Sequence, residues 1–339
     1  GVRQYESFHP KLESCSSRGW NPESQQALER CSFFTETLNR SNSLFSAMMR
    51  HCPMIASAQS VGIDARRILR SGVTGHVAAV FERSIYLNIE KRWVCIGAEE
   101  IGRGPLNVPC GRGCPRDWRH LTFEGHRVSI SGETVMLGGK GTIGLAAPVW
   151  HPARPPVWSS ATLAGGLEAL ENLLPAAPPA EGLGCYARQS PLAIGLAARA
   201  AGSHISVIRD WLDQSRPTAS PLLDSAVGAL LGLGPGLTPS GDDFLAGLLA
   251  ALRIVGRQHD SAILWRIIVE RGPAATHPIS LAHLTSAAEG RLAERLHHVI
   301  DAILAADISG LGAGLDALCG QGHSSPWDAL AGIAVALRT

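Results

Sequence analysis

The stretch Gly232-Leu-Gly-Pro-Gly-Leu-Thr-Pro-Ser-Gly-Asp-Asp243 constrains this chain more than any other. It runs directly into Phe244-Leu-Ala-Gly-Leu-Leu-Ala-Ala-Leu252, whose apolar residues repeat at helical spacing. Glycine reaches backbone angles closed to other residues, and Pro235 and Pro239 stiffen the loop. The pattern predicts a rigid, hydroxyl-rich loop that ends at the start of a buried helix. Ser240 is the expected N-cap, and Asp242 and Asp243 fall where the helix dipole favours negative charge. A cap needs little more than one hydroxyl and a glycine. Gly234, Gly236, Thr238, Ser240 and Gly241 exceed that need, so the loop reads as a binding cradle. Asp242 and Asp243 are the catalytic candidates, with Asp242 slightly favoured because it lies nearer the Gly-Pro-Gly loop. Two acids beside an anion cradle need compensation, which an amide donor, a bound Mg²⁺ or a proton taken up during reaction would each supply.

Two other corners share this composition. Thr276-His-Pro-Ile-Ser280 opens a helical run, and Ser324 and Ser325 precede Pro326 at the start of the last one. Hydroxyls and backbone N–H groups at helix starts hold carboxylate, phosphate or carbonyl oxygens without a lysine. Capping is the plainer account of each hydroxyl taken singly; together Thr276, Ser280, Ser324 and Ser325 join the candidate binding set.

The rest of the chain divides into three. Residues 1–60 are rich in Ser, Arg, Gln and Glu and read as an extension with little specified structure. Residues 61–150 hold short runs of β-branched and aromatic residues, Thr74–Phe81, Ser84–Glu90, Arg92–Ile96 and His126–Ile130, with glycine breaks between the later ones. Ile85, Leu87 and Ile89 alternate with polar positions, as in a sheet with one covered face. Asn88 then points away from that face, toward solvent or a site, and is a further binding candidate. From 151 to 339 the periodicity is helical, with helices expected over about 159–174, 190–202, 204–215, 220–231, 241–256, 260–271, 279–305 (breaking near Gly290), 309–320 and 325–338. The expected fold is α+β: an antiparallel β-rich unit, a small barrel or a sandwich, packed on a C-terminal all-α domain.

Composition removes whole classes of function. Lys plus Arg (30) nearly balance Asp plus Glu (29), which leaves no electrostatic footprint for nucleic acid or an anionic membrane. No apolar run reaches spanning length. Eight scattered cysteines read as reduced thiols in a cytoplasmic protein, and Cys110-Gly-Arg-Gly-Cys114, without a second pair, reads as a glycine-rich turn rather than a zinc site. Lys140 fits a hairpin turn, and His297-His298 a solvated helix face. No P-loop, nucleophile elbow or zinc-protease helix is present, and no metal ligand set is assigned.

The Gly232–Asp243 core, the Gly75-His-Val-Ala-Ala-Val-Phe81 and Tyr86-Leu-Asn-Ile89 strands, Gly102-Arg-Gly-Pro-Leu-Asn107 and the closing Ser-Ser-Pro-Trp-Asp-Ala-Leu-Ala-Gly332 together resemble the AllH family over roughly residues 70–338. Pro326 stands where the family pattern has glycine. The resemblance implies a subunit of oxamate carbamoyltransferase acting with FdrA-like and AllG-like subunits in anaerobic allantoin breakdown. The implied small-molecule partners are carbamoyl phosphate and oxamate or oxalurate. Two other classes stay open beside it: a non-catalytic scaffold subunit that binds the same anion, and a stand-alone amide or ureide hydrolase in which an aspartate activates water.

Overall fold

The computed structural model describes residues 52–339 apart from 112, 176–178, 180, 193, 216 and 320–323. The expected extension thus lies, as far as residue 51, outside the described residues. Its last part does not: Met54–Ser57 is a strand, β1, of the main sheet. It is followed by β2 (Val61–Gly62), a short helix α1 (Ile63–Ile68), and β3 (Thr74–Val80), β4 (Ser84–Ile89), β5 (Arg92–Ala98), β6 (Asn107–Cys110), β7 (Arg127–Ser131), β8 (Thr134–Leu137), β9 (Gly141–Gly144) and β10 (Val149–Trp150).

Eight of these strands form one sheet in the order β1-β9-β8-β7-β3-β4-β5-β6. The pairings are antiparallel except β1 with β9 and β5 with β6, which are parallel. The two ends of the sheet meet. Ala58 bridges Cys110, Gln59 N–H donates to the Pro109 carbonyl at 2.8 Å, and Gly111 N–H donates to Ser57 at 3.1 Å. The eight-stranded sheet therefore closes into a barrel, while β2 and β10 pair with each other in a separate two-stranded sheet. Its interior holds Ile85, Leu87, Ile89, Val94, Ile96, Val108, Val128, Ile130, Val135, Leu137 and Ile143. The alternation in β4 sends Ser84, Tyr86 and Asn88 to the outer face.

Ten helices are described, nine of them after the barrel: α2 (Ser160–Leu173), α3 (Leu196–Leu212), α4 (Pro221–Leu230), α5 (Ser240–Ile254), α6 (Gln258–Ala275), α7 (Pro278–Ala288), α8 (Glu294–Ala305), α9 (Ile308–Cys319) and α10 (Ser325–Arg338). The α+β expectation holds. One helix, α3, replaces the two expected over 190–215, because Gly202 and Ser203 continue the turn instead of breaking it. The break expected near Gly290 is present, with Gly290 at φ 75°.

The centre of the helical half is α5 against α10. Every α5 residue from Phe244 to Leu252 is buried, as is every α10 residue from Trp327 to Leu337. Two glycines allow the contact. A Cβ at Gly247 would overlap the Ala329 carbonyl, and one at Gly332 would overlap that of Phe244. Asp243 lies beside Ser325 and, four residues on, Gly247 beside Ala329, so the two helices run parallel. Their N-termini converge at one end. No described helix is long and apolar enough to cross a membrane.

Candidate functional site

Asp242 and Asp243 are consecutive, yet the first turn of α5 sends them in different directions. Asp242 is 1% exposed, and both its oxygens are taken. Oδ1 accepts the Gly232 N–H at 2.9 Å, while Oδ2 accepts the Ser280 hydroxyl at 2.7 Å and the Thr276 hydroxyl. It ties the glycine loop to the start of α7. Thr276 and Ser280, expected to bind ligand, are spent on this carboxylate.

Asp243 turns toward a cavity of about 240 Å³ between the helical half and the barrel. Its Oδ2 is buried and has no hydrogen-bond partner. Burial raises the proton affinity of this carboxyl well above the usual carboxylate range, and the nearby Asp328 and Asp242 add to the rise. The Ser325 and Thr238 hydroxyls lie against it and offset part of the effect. Asp328, on α10, is itself completely buried; it accepts the Leu183 N–H through Oδ1, and its Oδ2 is unpartnered. Burial raises its proton affinity too, with the Ser240 and Ser324 hydroxyls acting against the shift.

The remaining loop residues do not line the cavity. The helix cap is Pro239, without a side-chain bond, so Ser240 is the first residue of α5 rather than its N-cap. Its hydroxyl turns to Asp328 instead. Gly232, Gly234 and Gly236 have φ of 74°, 115° and 95°, so the loop does use glycine's left-handed angles. Gly236 is at the exposed tip. Gly241 serves packing, since a Cβ there would overlap the Leu230 carbonyl. Ser324 occupies the α10 cap position, but its side chain makes no capping bond. Asn88 accepts the Lys91 N–H at 3.0 Å and closes the β4–β5 turn, where Glu90 and Lys91 both have positive φ.

Of the candidates, the cavity thus gathers Thr238, Asp243 and Ser325. It adds residues that are not site candidates from sequence: Tyr86 and Asn107, which lie in the motifs that carry the resemblance, and His283, Arg291 and Arg295, which lie in none. Tyr86 shares the outer face of β4 with Asn88, two residues away, so that face reaches the cavity through Tyr86, while Asn88 is not in its lining. Burial raises its phenol above the ordinary range, with Cys95 and then Asp243 contributing. His283, on α7, is pushed down to about 4 by burial, which leaves a neutral imidazole at pH 7. His297, expected on a solvated face, is buried and accepts the Leu292 N–H at 3.1 Å; His298 is the exposed member of the pair.

Arg291 is held from the barrel side. Its Nε donates to Asp64 Oδ2 at 3.0 Å, and Ser286 donates to the same oxygen at 2.8 Å. Asp64 opens α1, whose first N–H groups donate to the Pro105 carbonyl at 3.0 and 2.9 Å. The Asn107 amide donates to the Ile101 and Gly102 carbonyls, both at 3.1 Å, which folds the Gly102–Asn107 loop against the cavity. Arg103 pairs with Glu294 at 3.2 Å, and the Trp150 indole donates to the same carboxylate at 3.2 Å. Barrel and helices therefore meet through polar contacts that surround the cavity.

Cys110 and Cys114 are free thiols at the barrel seam. Among the described residues no three His, Cys, Asp or Glu side chains are gathered to hold a metal ion.

Chemically, the site offers a carboxyl with an unpartnered oxygen, two hydroxyls, a phenol, a neutral imidazole and an anchored guanidinium. That set can bind a small polar anion and move one proton. No curated protein and no solved structure matches the chain. A family model does match, over a shorter stretch than the resemblance implied. The barrel lies outside that stretch, whereas Thr238, Asp243, His283, Arg291 and Ser325 lie within it. Over residues 230–337 the chain matches the family model of the oxamate carbamoyltransferase subunit AllH.

Proposed function

We propose that this chain is a subunit of oxamate carbamoyltransferase, working with FdrA-like and AllG-like subunits in the cytoplasm during anaerobic allantoin breakdown. The observation that carries the reading is the overlap of the AllH match with most of the polar cavity wall. In the degradative direction phosphate attacks the carbamoyl carbon of oxalurate, the carbon–nitrogen bond breaks, and the departing oxamate nitrogen needs a proton. Asp243, with its raised proton affinity, supplies that proton. In the reverse direction its carboxylate takes the proton as the oxamate amide attacks carbamoyl phosphate and phosphate leaves. The Thr238 and Ser325 hydroxyls and the Tyr86 phenol orient the amide. Asp242 has no free oxygen for chemistry and acts as a brace. Among the described residues no third His, Cys, Asp or Glu side chain joins Asp242 and Asp243 in a metal-holding group.

The test is turnover of oxalurate with phosphate, measured with the chain alone and with its partner subunits. Formation of carbamoyl phosphate by the complex only is the expected result, with Asp243→Asn lowering it roughly 100-fold or more, the scale of a lost acid–base group. Oxalurate cleavage without phosphate would point to a hydrolase. Full turnover by the complex carrying Asp243→Asn would leave this chain a scaffold.

A further inference from the structure

We infer that the cavity is an acceptor half-site: it takes a small carboxylate that also carries a carboxamide, with the carboxylate on Arg291 and the amide on Asp243, and it excludes the phosphate-bearing reactant. The identity of that ligand as oxamate rests on the function proposed above; the exclusion of phosphate rests on the cavity alone.

Size sets the first limit. At about 240 Å³ the space is below the ~300–1,000 Å³ of pockets that hold drug-sized ligands. Charge sets the second. Among the described residues, the cations lining it are Arg291 and Arg295; the first already faces Asp64, and the second donates to the carbonyl of Ala317, itself part of the wall. His283 is neutral, and no described lysine is part of the lining. Asp243 stands in the wall with Asp242 and Asp328 close behind it. A phosphate dianion there would meet the Asp243 carboxyl, with Asp242 and Asp328 behind it rather than a cation.

Two convergent helix N-termini would ordinarily invite phosphate. Here five of their first-turn donors are occupied. Asp242 and Asp243 N–H groups donate to Pro239, and those of Trp327 and Asp328 donate to Ser324. Gly241 N–H donates to Leu233, and Pro326 has no N–H to offer. The chain's own aspartates already serve the two positive helix ends.

A carboxamide fits what remains. Its N–H groups suit an Asp243 oxygen, and its carbonyl suits a proton on that carboxyl or the Thr238 and Ser325 hydroxyls. The ligand's carboxylate then takes the Arg291 N–H groups not used by Asp64. The carbamoyl donor arrives from outside this cavity, which is consistent with partner subunits holding it.

Titration calorimetry on the full chain tests this with oxamate, carbamoyl phosphate and inorganic phosphate as separate titrants. Oxamate should bind, and neither phosphate compound should displace it. Arg291→Met should weaken oxamate roughly tenfold or more, as expected when a charged hydrogen bond is lost. Arg291→Lys, melting with the parent protein, should recover part of that affinity and guards against simple misfolding. Carbamoyl phosphate or phosphate that binds and displaces oxamate overturns the half-site, as does failure of oxamate to bind. Turnover by the assembled complex is read separately. An active complex whose isolated chain binds phosphate in this cavity refutes the half-site and keeps the function; oxamate binding beside an inactive complex does the reverse.

Discussion

Asp242 and Asp243 are neighbours in sequence and opposites in energetics. Asp242 satisfies three donors, so Asp242→Asn replaces one acceptor oxygen by an NH₂ group facing a donor. Loss of roughly 1–3 kcal/mol in urea unfolding is expected, the usual cost of a buried group left unsatisfied. Asp243 works the other way. Its folded-state proton affinity exceeds that of the unfolded chain, where the carboxyl titrates near ~3.9. Its stability contribution is therefore fully present below that value and is lost as pH rises through the folded pKa. Asp243→Asn should melt higher than the parent protein, by a margin that widens from pH 5 to pH 8, while activity falls. A variant that melts lower across that range would show that the carboxylate is structurally needed. On the proposed role, Asp243 trades stability for function, as acid–base groups at active sites commonly do. Loop composition marked the pair, but composition cannot say which side of a helix turn faces a cavity. His283 and Arg291 carried no motif signal, and Tyr86 entered only as part of a strand motif, because their place at the cavity depends on which elements meet.

Most helices were legible because apolar spacing and cap residues agree with the tertiary environment. Ser220 caps α4 through the Leu223 N–H at 3.2 Å, and Pro221 follows it in the first turn. The closure of the barrel was not legible, since β1 and β6 are short and pair across a long separation. Nor was the parallel contact of α5 with α10, which shows in sequence only as the two glycines Gly247 and Gly332. Gly247→Ala places a methyl group against the Ala329 carbonyl and forces the helices apart. Destabilisation of about 1–3 kcal/mol is expected, as for overpacking of a tight interior. Gly312→Ala, where a Cβ meets nothing within 4 Å, should leave the unfolding midpoint unchanged or slightly higher and serves as the control.

At the scale of the whole molecule, the site belongs to neither half. The barrel supplies Tyr86 and the Gly104–Asn107 turn, and the helices supply the acid, hydroxyls, imidazole and guanidinium. Tyr86→Phe keeps the ring against Phe81 and removes only the phenolic oxygen from the cavity. Turnover of the complex should drop by about tenfold, within the span of a lost hydrogen bond to the reacting group, with no change in melting. An unchanged rate would reduce the barrel's part to enclosure.

The parallel seating of α5 on α10 also sets an order of events as the chain folds. Two parallel helices cannot be joined by a tight turn; here residues 255–324 must run out and return before Ser325 reaches Asp243. Contacts that span so much chain form late, after the local helices. The carboxyl of Asp243 therefore stays in water, with an ordinary affinity for its proton, until the final helix docks. On the proposed role of Asp243, reactivity is switched on by completion of the fold, so a nascent or C-terminally clipped chain would carry the whole Gly232–Asp243 loop and remain chemically inert.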